Sequence, residues 1–415
     1  VSSLSSLHYY SILLYFVVLL LTVQKNDALS SPGVNTQKKR LIIVGGGVGG
    51  LATAARVASS SFFKAENSEV IILEKNKHLG GRCGSFKVET KKGIFRHERG
   101  PSLLLLKDVY LDLFRDCCSE KNAEDYGLSM AQCKPAYQVV FDDGDYIELG
   151  FPISELDSTL KDAEEISRRK MNEYEPNGAS KWDEYMKATA AFLDCGLPNF
   201  IEERFELSTF PAFLREALRD FGKAWPLKPH SDVLDATFES EKMRALASFQ
   251  NLYVGLEPYR NNKEIGGGVL RKTAPAVFGL LSAIELHPSN KKSGVFAPIG
   301  GFQAVADAME RLAIDQGVEI RRGITVKRVD SEGVYYSLFP EEGKESNGMK
   351  DEEIFLSSDL VLVNADLPYA TETILSNNNN NNNEHHYDWD DKFDYSSGVI
   401  AFHWSLDKEI SNLNT

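Results

Sequence analysis

The apolar positions sort into runs whose periodicity predicts the elements. Leu41 to Val44 are apolar without interruption, as in a strand covered on both faces, and the run stops on Gly45. Ala52, Ala54, Ala55, Val57 and Ala58 follow, a small-residue helix able to lie close on a sheet. Val70 to Leu73 form a second apolar run, ending at Glu74. The order is strand, helix, strand. Residues 135–155 read as a strand pair around Asp142, Asp143 and Gly144, a turn with hairpin chemistry. Residues 155–285 read as mostly helical, and the charged stretch Lys161 to Lys187 as a solvated helical face. Phe210, Phe213, Leu214, Leu218, Phe221 and Trp225 form one apolar stripe opposite Arg215, Glu216, Arg219 and Asp220, with Pro211 after Ser208 and Thr209 as a helix start. Two readings stay open for that helix: a core face, or a surface helix or tunnel lip facing lipid.

The N-terminal region has a different pattern. Tyr9 to Val23 is a 15-residue, largely apolar run, short for a bilayer span and suited to a signal peptide. Gln24 to Arg40 is polar. The pair resembles the two-part leaders of algae with secondary plastids, which predicts plastid delivery; a secretory or endoplasmic-reticulum signal, or a membrane anchor, is the alternative. Pro340 to Asp351 reads as a polar hairpin loop, and the seven asparagines Asn377 to Asn383 as a low-complexity surface insertion within 376–392. His385, His386, Asp388, Asp390 and Asp391 follow directly and read as polar loop, so no metal site is expected.

Composition narrows the class. With 415 residues, 42% of them hydrophobic, the chain has material for two domains with substantial cores. Lys and Arg number 46 against 60 Asp and Glu, a net charge of −14, which argues against a nucleic-acid partner. Cys83, Cys117, Cys118, Cys133 and Cys195 show neither disulfide spacing nor a zinc pattern and read as reduced thiols. No G-x-S-x-G, H-E-x-x-H or P-loop motif occurs.

The candidate chemistry lies at the first strand–helix junction. Gly45, Gly47 and Gly50 fit G-x-G-x-x-G, the turn that lets a backbone approach a pyrophosphate at a helix N-terminus, and Val48 and Gly49 lie within it. Glu74 lies about 24 residues beyond Gly50, near the roughly 20 expected of a ribose-binding acid. An acid there favours a ribose 2′-hydroxyl over a 2′-phosphate, hence FAD or NAD and not NADP.

Just beyond, Glu74 to Phe86 includes Gly80, Gly81, Arg82 and Ser85, and this resembles the second glycine motif of the FAD-dependent amine oxidase and phytoene desaturase superfamily. His97 to Phe114 is similar to that family's segment beside the flavin ring, with Glu98 where Asp is usual and His97 where Phe is usual. Ser248 to Tyr259, Phe278 to Leu286, Gly294 to Met309, Gly317 to Val329, Asp359 to Ala370 and Ser397 to Lys408 follow in the order of bacterial and fungal phytoene desaturases, the last resembling a strand. The likeness covers roughly residues 40 to 410. The family's C-terminal glycine-rich flavin contact does not occur before Thr415, and the chain begins at Val1, so it reads as a piece at both ends.

The resemblance implies an α/β fold: an FAD-binding, Rossmann-like domain of the glutathione-reductase type, interleaved with a mixed-sheet and helical substrate domain. The expected division is a targeting segment and linker at 1–39, a discontinuous FAD domain at 40–135 and 294–370, and a substrate or membrane-facing domain at 136–293 and 371–415. It implies FAD held by Gly45, Gly47, Val48, Gly49, Gly50, Glu74, Lys75, Gly80, Gly81, Arg82, Gly100 and the backbone of Val326. The implied reaction is hydride transfer from a phytoene-like C40 polyene to flavin, with peripheral membrane contact and quinone or oxygen as electron acceptor. A carotenoid isomerase, a polyene saturase, or a non-catalytic flavin- or lipid-binding relative on the same fold are the alternatives. No catalytic residue is assigned; Glu98, Arg99 and His97 are the candidates.

Overall fold

The computed structural model describes residues 39–65, 68–151, 158–202, 228–259, 274–287, 294–338, 353–375, 389 and 401–406. The apolar leader, the stripe from Phe210 to Trp225, the loop from Pro340 to Asp351, the asparagine run and the His385–Asp391 cluster lie outside the described residues. None of the described helices is long and apolar enough to cross a membrane.

The first unit is β1 (Arg40–Val44), α1 (Val48–Ser59) and β2 (Glu69–Glu74). A hairpin of β3 (Ser85–Thr90) and β4 (Gly93–Glu98) precedes α2 (Lys107–Cys117). The middle of the chain holds β5 (Met130–Gln132), the hairpin β6 (Tyr137–Val140) and β7 (Tyr146–Leu149), then α3 (Ser158–Tyr174), α4 (Gly178–Gly196), α5 (His230–Thr237), α6 (Glu241–Leu246) and α7 (Leu280–Leu286). The return is β8 (Phe296–Pro298), α8 (Phe302–Asp315), β9 (Glu319–Arg322), β10 (Ile324–Val329), β11 (Gly333–Leu338), β12 (Ile354–Ser357) and β13 (Leu360–Val363).

Four of these strands form a parallel sheet in the order β13-β1-β2-β9. β1 is interior, which is why its sequence is apolar throughout. Its side chains alternate between two layers. Leu41 and Ile43, with Val70 and Ile72 of β2, meet Leu51, Ala54 and Ala55 of α1 and Val305, Ala308 and Leu312 of α8. Ile42 and Val44, with Ile71 and Leu73, meet Ile324, Val326, Val334 and Tyr336 of the antiparallel sheet β10-β11-β12. The result is helix, parallel sheet and antiparallel sheet in three layers, each fully buried aliphatic side chain stabilising by about 1.5–3 kcal/mol.

A separate cluster organises the middle of the chain: Trp182, Tyr185, Met186 and Leu193 of α4 pack with Leu234, Phe238, Met243, Leu246 and Ala283. The expected hairpin is present, turning at Gly144 with φ +81°. Lys170 and Lys242 converge on Asp145 and so tie it to α3 and α6. The charged run 161–187 differs from expectation. The chain breaks at Asn177, with φ +59°, and the second half of the run enters α4, whose Trp182, Tyr185 and Met186 are core. Charge density along the sequence hid a buried face. Residues 401–406, within the segment expected to be a strand, form none and lie exposed. All five cysteines are free thiols.

A buried polar network runs through this helical half. Glu285 of α7, 2% exposed, accepts the Tyr137 hydroxyl at 2.6 Å and the Gln250 amide at 3.4 Å; Ser282 donates to Gln250 at 2.9 Å. The Tyr137 hydroxyl lies 2.8 Å from that of Tyr253. Next to Gln250, Asn251 donates to Nδ1 of His230 at 2.7 Å, and Nε2 of His230 lies 2.8 Å from the Tyr185 hydroxyl, which donates to the Ala247 carbonyl. Burial pushes His230 down to about 4 and keeps it neutral. Burial pushes Glu285 up to about 7, with the hydrogen bonds from Tyr137 and Gln250 opposing.

Because the folded-state value of Glu285 lies above its ordinary 4.5, the stability it contributes is fully present below that value and is lost as pH rises through about 7. The unfolding midpoint should therefore fall more steeply between about pH 4.5 and pH 7 in the native protein than in Glu285→Gln, and the two should run parallel above about pH 8. Parallel trends below about pH 7 as well would contradict the burial assigned to this carboxyl.

Candidate dinucleotide site

The site forms where the parallel sheet ends. The chain leaves β1 through α1 to β2 on one side, and β13 arrives on the other, so the carboxyl ends of β1 and β13 flank a topological switch point, the crevice where α/β sheets bind ligands. Gly45 takes φ +102° and donates to the Leu73 carbonyl at 2.9 Å. Gly47, in extended conformation, precedes α1; no side chain caps that helix and no acid occupies its first turn. Its N-terminal amides and dipole are thus left to an anion. A Cβ on Gly50 would stand 2.2 Å from the Gly45 carbonyl oxygen, so α1 approaches β1 only because residue 50 has no side chain.

Glu74 is buried at the end of β2. Its Oε2 accepts the Gly46 amide at 2.7 Å, and its Oε1 accepts the Asn76 amide and side chain at 2.8 and 2.7 Å. Three of about four lone-pair positions on the carboxylate are filled, leaving capacity for one further donor such as a ribose hydroxyl. Lys75 beside it is exposed.

The second glycine turn is bonded to the first. Gly80 donates to the Gly46 carbonyl at 2.8 Å and pairs with Gly47 as an isolated parallel bridge. Gly80 and Gly81 both take positive φ, +104° and +55°, and a Cβ on Gly81 would sit 3.5 Å from the Gly47 Cα. Arg82 projects into solvent, 88% exposed, with Nη2 3.6 Å from Asp366 in the loop after β13. Gly100 runs against this turn; a Cβ there would meet the Arg82 carbonyl at 2.8 Å. Val326 is buried in the antiparallel layer beside a bulge: it pairs with Tyr336, and Arg328 pairs with Tyr335.

The structure thus brings Gly45 to Gly50, Glu74, Gly80, Gly81, Arg82 and Gly100 together; of the catalytic candidates, Arg99 lies against Gly84 beside the second turn, and the side chains of Glu98 and His97 take other partners. Glu98 accepts Ser85 Oγ at 2.5 Å and the amide of Phe302 at 3.2 Å, with Arg96 Nε 3.3 Å from its other oxygen. It latches the β3–β4 hairpin to the start of α8. His97 packs on Phe86 and His403, its Nε2 3.1 Å from Ser405 Oγ. Arg99 is exposed, its amide donating to the Gly84 carbonyl at 3.0 Å. Sequence reasoning missed Asn364 and Asp366, which complete the site from β13. The available signal was a second apolar run, Leu360 to Val363, ending on a polar residue as β2 does.

Replacing Glu98 tests the latch. Glu98→Ala should lower unfolding stability by about 1–3 kcal/mol in urea, because the Phe302 amide and Ser85 hydroxyl lose their acceptor; Glu98→Gln should recover most of it. Full stability in Glu98→Ala would contradict a latching role.

Residues 43–117 match the family described as NAD(P)-binding Rossmann-like domain. The chain is 27% identical over 352 residues to a phytoene desaturase of Cercospora nicotianae, covering 83% of this chain and 48% of that protein. It is 29% identical over 312 residues to a zeta-carotene-forming phytoene desaturase of Myxococcus xanthus (74% and 50% covered), and 26% identical over 348 residues to a 4,4'-diapophytoene desaturase of Staphylococcus aureus (84% and 60%). The chain spans about half the length of the first two relatives. The likeness to these desaturases covers 74–84% of this chain, at 26–29% identity.

Proposed function

We propose that this chain is the FAD-binding and substrate-facing part of an enzyme that desaturates a phytoene-like C40 polyene in carotenoid biosynthesis. The observation that carries the reading is the bonded pair of glycine turns: Gly46 and Gly80 join two strand-end loops into one cradle, with Glu74 beneath it and Arg82 at its edge. A single turn suffices for a mononucleotide half; the second turn extends the cradle past the pyrophosphate, which favours FAD over NAD. The residues fit such a group. Missing side chains at Gly47 and Gly81 clear the space between the turns, the capless α1 offers amides to phosphate, and Arg82 adds an exposed guanidinium.

A bound flavin supplies the acceptor for a hydride from an allylic carbon. The chain's part is to hold and orient. The amides at the start of α1 neutralise the pyrophosphate, Glu74 accepts a ribose hydroxyl, and Arg82 pairs with phosphate across from Asp366. A hydrocarbon offers no hydrogen-bonding handle, so its alignment falls to apolar surface and its access to contact with a bilayer. The proton lost as conjugation extends comes from a carbon beside a cationic centre and needs no strong base, in keeping with the structural employment of Glu98. The reading includes peripheral membrane contact, quinone or oxygen as final acceptor, and plastid delivery by the two-part leader of Tyr9 to Val23 and Gln24 to Arg40.

The full-length protein, given FAD and phytoene in liposomes, should yield longer polyenes seen by visible absorbance after chromatography, and only with an added oxidant or oxygen. Bound flavin with unchanged phytoene would contradict desaturation and turn the test to isomerisation of cis-lycopene under reducing conditions. Arg82→Ala should weaken FAD binding by about 10- to 100-fold, the worth of a charge-assisted hydrogen bond. Its unfolding midpoint should hardly move, since an ion pair this exposed contributes little.

A further inference from the structure

Asn364, the first residue after β13, lies against Gly45, Gly47, Gly49 and Gly50 of the first glycine turn. Its amide donates to the Val44 carbonyl at 2.8 Å, carrying the β13–β1 ladder one step past the strands. Its Nδ2 donates to the Gly45 carbonyl at 3.2 Å. A Cβ added at Gly49 would lie 2.9 Å from Asn364 Oδ1, one at Gly50 would lie 2.9 Å from Nδ2, and one at Gly47 would lie 3.3 Å from it. At Gly45 the obstacle is the Asn364 carbonyl itself, at 2.4 Å. The space that side chains at Gly49 and Gly50 would need is therefore taken by the Asn364 side chain.

The bond to Gly45 has a partner on the opposite end of the same peptide. The carbonyl of the Gly45–Gly46 peptide is held by Asn364 Nδ2, and its amide is held by Glu74 Oε2 at 2.7 Å. A peptide between two glycines has little steric preference for either orientation, because neither residue carries a Cβ. A flip of this plane would turn the carbonyl toward the Glu74 carboxylate and the amide toward Asn364 Nδ2, breaking both bonds and reshaping the turn. Clamped at both ends, it is set before any ligand arrives.

We propose that Asn364 is a positioning residue of the dinucleotide cradle, acting with Glu74 to hold the Gly45–Gly46 peptide in a single orientation and so fix the shape of the glycine turn that leads into α1. The proposal rests on the dinucleotide reading of the site. It makes a specific statement about the motif: in this chain Gly49 is glycine for the sake of Asn364 as well as the ligand. Asn364→Asp places a second oxygen against the Gly45 carbonyl and repels it, whereas Asn364→Ala only removes the donor.

The test titrates the full-length apoprotein with FAD and, separately, with ADP, alongside amide exchange of Gly46 and Gly47 and thermal unfolding of each variant. Asn364→Ala should bind both ligands at least tenfold more weakly, and Asn364→Asp more weakly still, at temperatures where both remain folded. The Gly46 amide should exchange faster in both variants. Gly49→Ala should weaken binding in the native background and cost little in Asn364→Ala, where the side chain it would displace is gone; a merely structural role would make the two losses add. Native-like affinity in Asn364→Ala and Asn364→Asp, or additive losses with Gly49→Ala, would overturn the proposal. Failure of the native protein to bind FAD or ADP would instead overturn the dinucleotide reading; exchange at Gly46 would then judge the clamp alone, an unchanged rate in Asn364→Ala refuting it.

Discussion

Everything at the site depends on β1 being enclosed on all sides. It has a parallel strand on each edge, helices over Leu41 and Ile43, and a second sheet over Ile42 and Val44. A strand so enclosed has no freedom to shift, since a slip by one residue would exchange its two faces and misplace four side chains. Its carboxyl end is consequently a fixed point. Gly45 begins the turn there, Gly50 brings α1 within contact of the Gly45 carbonyl, and the second glycine turn docks on the first through Gly46 and Gly80. Precision at the phosphate site is inherited from packing beneath it.

The helical half is built on a different balance. Its apolar cluster surrounds a polar seam, from Tyr253 through Tyr137, Glu285 and Gln250 to Ser282, with Asn251, His230 and Tyr185 alongside. Each member satisfies another, as buried polar groups must, and the seam joins the β6–β7 hairpin to α7 and to the turn that follows α6. Glu285 has hydroxyl and amide partners and no cation among them, so its neutral form is favoured by burial. Directional bonds of this kind set how the helices seat against one another, a task apolar contacts alone perform loosely.

How much of this could be read along the chain depended on separation. β1, α1, β2 and both glycine turns lie within about 45 residues and announce themselves by uninterrupted apolar runs and by glycine spacing, which local sterics require. Asn364 bonds to a residue 319 positions earlier and carries no local mark. Glu98 was a catalytic candidate because of its place in a familiar segment; its acceptance of the Phe302 amide, 204 residues on, made it a latch. The charged stretch after Lys161 read as solvated because charge alone does not reveal the helix break at Asn177, beyond which α4 turns Trp182 and Tyr185 inward. Local rules fix the cradle, and the tertiary contacts that stiffen it are visible only once the strands have met.

The central claim is that these glycine turns form one cradle made for FAD. Its most direct test is titration of the full-length apoprotein with FAD, NAD and NADP under identical conditions, following flavin fluorescence and competition. The account predicts saturable FAD binding that ADP displaces, weaker NAD binding and none of NADP, since Glu74 at the ribose position repels a 2′-phosphate. Preference for NADP, or for NAD over FAD, would contradict it.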